Sequence, residues 1–240
     1  MSLEIKDGAL FVADAHENGE NRILFTKLLH GIKSGEIAAA QLFLMGDIFD
    51  LLVGGAKKTQ FLFKDEVAVL DEIGQKIDVF YFEGNHDFNL GKLFSNVKII
   101  PLKKQPMLFE SKCGLFRLAH GDLNGEFKYQ FYTSLIRSKF LIAVLNLFDC
   151  YGLISRSILK KLGKKELCVK IKGFENIAAK KISFYEKCDF IVEGHYHQNQ
   201  SFRSKKCVYV NLGAFACGGI VYRFNSKLKP HFKSLFFSQS

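Results

Sequence analysis

No stretch of this chain is apolar for long enough to cross a bilayer as one helix. The best candidate, from Phe140 to Ile154, is broken by Asn146 and Asp149. The N-terminus lacks the basic start, apolar run and small-residue cleavage site of a secretory leader, so none is expected. The six cysteines, Cys113, Cys150, Cys168, Cys188, Cys207 and Cys217, show no C-x-x-C or zinc-ribbon spacing. Free thiols in a reducing cytoplasm are therefore expected, and cysteine chemistry is set aside. Internal repeats and low-complexity tracts are also missing. What remains is a chain of 240 residues that is 48 % apolar, enough for a packed core and against disorder. That length suits one large domain or a domain carrying an insertion.

Charge is abundant but unevenly placed. Between Leu123 and Tyr185, twelve Lys and Arg stand against four Asp and Glu, an excess of eight in a chain of formal charge +10. Such a segment attracts polyanions: nucleic acid, nucleotides or an anionic membrane surface. A solvated helical face is the plainer alternative.

The first half reads as repeating strand–helix units. Leu10 to Ala13, Gln41 to Met45 and Val79 to Phe82 are buried-type strands. The stripe of Leu24, Leu28, Leu29 and Ile32 predicts a helix from about Asn21 to Lys33, stopped at Ser34-Gly35. A second helix is expected with Thr59 as cap, Phe63, Val67 and Leu70 on its buried face and Gly74 as terminator. Right-handed crossovers then make the strands parallel, with ligands beyond their carboxyl ends. The second half adds strands at Leu115 to Ala119, Phe190 to Val192, Val208 to Asn211 and Ile220 to Phe224. The expected core is two sheets face to face with helices outside. Residues 123–187 interrupt it, with Tyr129 to Phe148 and Leu153 to Tyr185 reading as helices broken at Gly152, Gly163 and Gly173.

Five clusters end these apolar runs: Asp14-Ala15-His16, Gly46-Asp47-Ile48-Phe49-Asp50, Gly84-Asn85-His86-Asp87, His120-Gly121-Asp122 and Gly194-His195-Tyr196-His197. Taken singly, each is ordinary turn vocabulary. Their ordered convergence is not, since five of the seven histidines fall within them. Carboxylates, one amide oxygen and imidazoles suit two divalent ions, Mn²⁺ first, with Fe²⁺ or Zn²⁺ also fitting, rather than Ca²⁺. Asp47, at the central strand end, is the natural bridging carboxylate. Two ions about 3.5–4 Å apart would clamp a water and lower its pKa toward about 7, as phosphate-ester hydrolysis requires. His86 is the expected proton donor, with Asp87 beside it as a second catalytic group. Asp50, Asp87 and Asp122 sit beside ligands, where acceptors orient imidazoles.

These clusters resemble the pattern of the calcineurin-like metallophosphoesterase superfamily: D-x-H, G-D-x-x-[DE], G-N-[HR]-[DE], a later His, and G-H-x-H. The resemblance implies one metal on Asp14, His16, Asp47 and His197, and another on Asp47, Asn85, His120 and His195. Within the superfamily the chain is similar to the UDP-2,3-diacylglucosamine diphosphatase family of lipid A synthesis. The chain length, the helical insertion, the tract Asp87-Phe88-Asn89-Leu90-Gly91 and the pair Tyr129-Gln130 carry that likeness. Glu126 stands where that family has an acidic residue near substrate, so Asn85, His86, Glu126 and His195 are the implied substrate contacts. Two features depart from it: His86 replaces the family's usual Arg, and Leu212-Gly213-Ala214-Phe215 replaces a Gly-Asp-Trp.

The implied fold is α/β, a metallophosphoesterase-type double β-sheet sandwich flanked by helices, with an inserted helical cap. Its core is 1–122 and 188–240, and its cap is 123–187. The implied reaction is hydrolysis of UDP-2,3-diacylglucosamine, a nucleotide-linked acylated sugar, by a cytoplasmic enzyme peripheral on the anionic inner-membrane surface. No nucleic acid partner is expected. The alternatives are a metallophosphoesterase acting on soluble nucleotides or nucleic acid phosphoesters, and a non-catalytic binding module.

Overall fold

A computed structural model describes residues 3–18, 22–122, 133, 135–149, 152–185, 187–205, 207–228 and 231–236. In chain order the elements are β1 (Leu10–Val12), α1 (Arg22–Ser34), β2 (Gln41–Leu44), β3 (Leu52–Val53), α2 (Lys57–Leu62), α3 (Lys64–Gly74), β4 (Asp78–Phe82) and β5 (Asp87–Phe88). There follow β6 (Val97–Ile100), β7 (Met107–Ser111), β8 (Gly114–Ala119), α4 (Lys139–Phe148), α5 (Leu153–Leu162) and α6 (Phe174–Phe184). The chain then runs through β9 (Phe190–Glu193), β10 (Gln200–Arg203), β11 (Val208–Asn211), β12 (Ile220–Phe224) and β13 (Phe232–Phe236).

One sheet has the order β13-β12-β1-β2-β4-β6, and the other β10-β11-β9-β8-β7. β1, β2, β4 and β6 run parallel, as the crossover argument requires, and β8, β9 and β11 do the same in the second sheet. Alternation along the strands divides the apolar side chains between two cores. Leu10, Val12, Leu42, Leu44, Val79 and Tyr81 pack with α1 and α3. Phe11, Phe43, Phe80 and Phe82 instead face Phe109, Phe116 and Val192 of the second sheet. On that inner face Phe11 stacks on Phe43 at 4.4 Å, and Phe43 on Phe80 at 4.9 Å. A third cluster seats α6 on β9 and β11 through Phe174, Ala178, Ile191 and Tyr209.

Three expectations need correction. Thr59 does not cap a helix; it lies within α2, where its hydroxyl donates to Ala56 O and accepts from Val53 N. The single helix expected there is two, broken at Phe63, which is buried against Phe49. Nor are all the cysteines free: Cys168 and Cys217 form a disulfide. Folding brings their Cα atoms to 5.7 Å across 49 residues, within bridging range. Cys113, Cys188 and Cys207 are not in disulfides, and Cys150 lies outside the described residues. In the insertion, α5 and α6 begin at Gly152 and Gly173, which adopt left-handed φ of 72° and 71°. Among the described residues no single helix is long and apolar enough to cross a membrane.

Candidate dimetal centre

Each of the five clusters occupies a loop leaving the carboxyl end of a strand: β1, β2, β4, β8 and β9. The first two loops run on side by side beyond their sheet. Asp14 N donates to Gly46 O at 3.1 Å, and His16 N to Asp47 O at 3.0 Å. To aim their side chains inward, these loops bend sharply. Seven described non-glycine residues have positive φ, and five of them are Asp14, His16, Asp47, His195 and His197. Such backbone costs of order 1–3 kcal/mol per residue and persists only where surroundings enforce it. The cluster glycines are explained by the same crowding. A Cβ on Gly84 would lie 2.1 Å from Asp47 Oδ1, and one on Gly194 would lie 2.5 Å from Asp14 Oδ2.

The side chains converge in three groups of donor atoms: Asp14 with His16 and His197, Asp47 with His120 and His195, and His16 with Asp50 and His86. Asn85 joins the second, its Oδ1 3.3 Å from His120 Nε2. The fit to metal can be tested on individual atoms. His16 Nε2 and His195 Nδ1 are buried without a hydrogen-bond partner, an arrangement that is costly unless an electrophile completes it. In His16, His120 and His197 the other ring nitrogen is already committed. Nδ1–H donates to Asp50 Oδ1 (2.9 Å), Met45 O (2.9 Å) and Leu167 O (2.7 Å) respectively, which leaves the Nε2 lone pair to the centre. Asp47 accepts from His86 N through Oδ1 at 2.8 Å, while Oδ2 lies 3.4 Å from His120 Nε2. The donor set fits divalent ions.

The electrostatics are those of a cation site. Burial pushes Asp47 up, but the charges of His120 and His86 prevail and hold it well below the usual carboxylate range. Burial disfavours charge on His120, yet Asp47 raises its pKa well above the usual imidazole value. His195, desolvated and facing His120, is pushed down to about 3.

The other expected residues divide. Asp50 Oδ1 accepts from His16 Nδ1–H at 2.9 Å. His86 donates Nδ1–H to Asp50 O at 2.9 Å and lines a cavity of about 360 Å³ that opens beside Asn85. Asp87, expected both as a catalytic group and as an acceptor beside the ligands, lies beneath the loops. It is 0 % exposed, and its oxygens accept from Asp47 N (3.0 Å), Ile48 N (2.6 Å), Gly84 N (2.8 Å) and Tyr81 OH (2.6 Å). Burial, and then the charge of Asp47, raise its pKa to about 7. It holds two ligand loops together from beneath. Asp122 is buried and lies 3.8 Å from Arg137 Nη2, with no hydrogen bond to an imidazole among the described residues. Glu126 lies outside the described residues.

Sequence reasoning missed the groups that reach the centre from the insertion. Arg137 donates to Gly84 O at 2.7 Å and lies 5.2 Å over the Phe88 ring. Leu167 O holds His197, and its neighbour Cys168 carries the disulfide. Lys181 donates to Gly121 O at 2.5 Å and pairs with Glu193 at 3.3 Å. Within a run of twelve basic residues nothing local marked Arg137 or Lys181 as different.

Two facing sheets, with D-x-H, G-D-x-x-D, G-N-H-D, H-G-D and G-H-x-H loops converging at strand ends, resemble the fold and donor set of the calcineurin-like metallophosphoesterases. No family model matches the chain. Among curated proteins it is similar to the UDP-2,3-diacylglucosamine hydrolase of Histophilus somni, 27 % identical over 137 residues, or 55 % of this chain and 57 % of that protein. It therefore spans little more than half the length of that relative. It is similar also to the UDP-2,3-diacylglucosamine hydrolase of Wigglesworthia glossinidia brevipalpis, 27 % identical over 239 residues and 91 % of each chain. Among solved structures, an archaeal phosphodiesterase is 12 % identical with a TM-score of 0.47, covering 95 % of this chain and 98 % of that one.

Proposed function

We propose that this chain hydrolyses the pyrophosphate bond of UDP-2,3-diacylglucosamine, giving UMP and 2,3-diacylglucosamine 1-phosphate. The observation that carries this reading is the juxtaposition of the donor cluster with an apolar cavity. The cavity starts at Asn85 and His86 and continues between Leu51, Val53, Phe88, Ile136, Leu141, Ile142, Leu145 and Ile158. Its volume of about 360 Å³ falls in the range of small-molecule sites, and its walls suit an acyl chain rather than a base or sugar. The names of the curated relatives point the same way.

In this reading Asp14, His16, Asp47 and His197 hold one ion, and Asp47, Asn85, His120 and His195 the other. Mn²⁺ is the first candidate. Bound there, the ions supply a water of lowered pKa and charge neutralisation for the phosphates. Residues 123–187 form a cap over a core of 1–122 and 188–240. Asn85, His86 and His195 face the diphosphate. His86, fixed through Nδ1, offers Nε2–H to the leaving phosphate, which needs charge neutralisation more than a full proton. A His can do this as well as an Arg, which accommodates the departure at this position. The cap also meets the membrane, cytoplasmic side inward. Phe140, Leu147, Phe148 and Leu153 are exposed beside Lys139, Arg156, Lys160 and Lys161, a pairing suited to an anionic lipid surface.

The test is acyl selectivity. Each buried methylene is worth roughly 0.8 kcal/mol, and remote binding energy can be used at the reacting phosphorus. The diacylated substrate should therefore exceed UDP-glucosamine in kcat/KM by orders of magnitude. Leu141→Asp should erase that preference while sparing a small chromogenic phosphodiester. Equal rates on both nucleotides would remove the lipid from the reading.

A further inference from the structure

The insertion does more than cover the centre, because one of its cations enters the core between two ligand loops. Lys181 lies on the inner face of α6 and is only 5 % exposed. Its ammonium donates to Gly121 O at 2.5 Å, one residue after His120. It also lies 3.3 Å from Glu193 Oε1, two residues before His195, and 5.6 Å from the centre of the Tyr196 ring. Glu193 is wholly buried and accepts further hydrogen bonds from the hydroxyls of Tyr185 and Tyr209. The two loops are otherwise joined at this point by Gly194 N donating to His120 O at 2.9 Å.

We infer that Lys181 is a positioning residue for the second metal site: by tying Gly121 O to the Glu193 carboxylate it sets the spacing between His120 and His195. The inference rests on the dimetal reading but not on the identity of the substrate. The physical argument concerns what else could hold those loops. Both follow parallel neighbours β8 and β9, whose ladder stops at Ala119 and Glu193. Beyond that register the imidazoles approach to 5.1 Å between ring centres; His120 is held by Gln105 and Met45 O and His195 N by Asp14, but none of these contacts ties one loop to the other. A buried ammonium shared by one carbonyl and one carboxylate is a short, charge-assisted brace. The imidazoles of the first site are fixed separately, through Asp50 and Leu167, although its Asp14 accepts from His195 N at 2.9 Å.

Metal binding, rather than turnover, reads this out. Co²⁺ titrated into the metal-stripped full chain should load two ions, with separable absorption bands assigned by losing one in His16→Ala and the other in Asn85→Ala. Lys181→Met should weaken the band lost in Asn85→Ala by about 10–100-fold in affinity, the usual cost of removing an outer support of a ligand, and leave the other within about threefold. Lys181→Arg should recover most of the loss. Lys181→Met leaves Glu193 as a buried carboxylate without its cation, which threatens folding. The double variant Lys181→Met/Glu193→Gln removes that charge while keeping a hydrogen-bonding group for the two tyrosines, and it should show the same selective loss. Equal weakening of both bands, or a double variant that loads both ions like the parent, overturns the assignment. A parent protein that takes up a single ion overturns the dimetal centre, and this inference with it.

Discussion

Every side chain of β1 and β2 is buried, whereas α4 buries only Ile142 and α5 buries none fully. Phe43, sandwiched between Phe11 and Phe80, and Phe140, 79 % exposed at the start of α4, are chemically the same residue in opposite situations. The strands need their apolar residues to hold the ligand loops in strained backbone. The helices carry apolar surface that folding leaves uncovered, so its burial free energy, roughly 25 cal/mol per Å², is still available for association. Ser138 accepts from Leu141 N, and Asp149 accepts from Ile154 N at 2.9 Å and Ser155 N at 3.3 Å.

The sharpest way to break this contrast is to truncate both aromatics. Phe43→Ala should cost about 3–5 kcal/mol of folding stability, the range for large core cavities. Phe140→Ala should stay within about 0.5 kcal/mol. Denaturant unfolding of the two variants measures the difference, and similar losses would mean that α4 is part of the core.

A second comparison lies within the centre, between a carboxylate serving two ions and an imidazole serving one. Asp47→Asn should lower activity by more than the roughly 100-fold upper range of outer-support changes, and by more than His16→Ala does. The protons held in this centre add a pH signature. His16, His120 and His197 are each opposed by burial, but hydrogen bonds and charges from Asp50, Asp47 and Asp14 outweigh it and raise their pKa values. A proton must leave each ring before Nε2 binds an ion, so metal affinity should rise with pH and uptake should release protons. For the metal-free protein the sign is opposite. Raised folded values add stability that is complete below about 6.5, the unfolded histidine value, and lost as pH climbs through the folded values. Calorimetric titration in buffers of different ionisation enthalpy checks the proton release, and metal affinity that is flat with pH would contradict it.

The smallest effect concerns the exposed face. If it meets an anionic membrane, each basic residue near the surface is worth about 1 kcal/mol and is screened by salt. Sedimentation with anionic vesicles should exceed that with neutral ones and decline as salt rises. Phe140→Ser and Leu147→Ser together should reduce it further without loss of folding. Equal binding to both vesicle types would assign the charge to another partner.

Much of the centre was legible because a ligand and its strand are neighbours in sequence. An apolar run ending in Asp14, Asp47, Asn85, His120 or His195 places those groups at the carboxyl edge of parallel strands, whatever the rest of the chain does. The edge strands were harder to read. β10 is largely exposed, with the polar sequence Gln200–Arg203, and becomes a strand only because β11 offers it an antiparallel partner. Asp87 stands beside His86 in sequence, but β5 pairs with β3 and turns its carboxylate beneath the loops, where five donors of the described residues occupy it.

The sequence by itself determined which atoms are available to the centre, since donor type and strand end are local properties. Only the tertiary structure decided what holds those atoms in place. Lys181 and Gly121 are 60 residues apart, Leu167 and His197 30, and Cys168 and Cys217 49. Each pairing depends on which backbone carbonyl, carboxylate or thiol the folded insertion brings opposite. A single ammonium or sulfur carries no sign of that partner in its own neighbourhood.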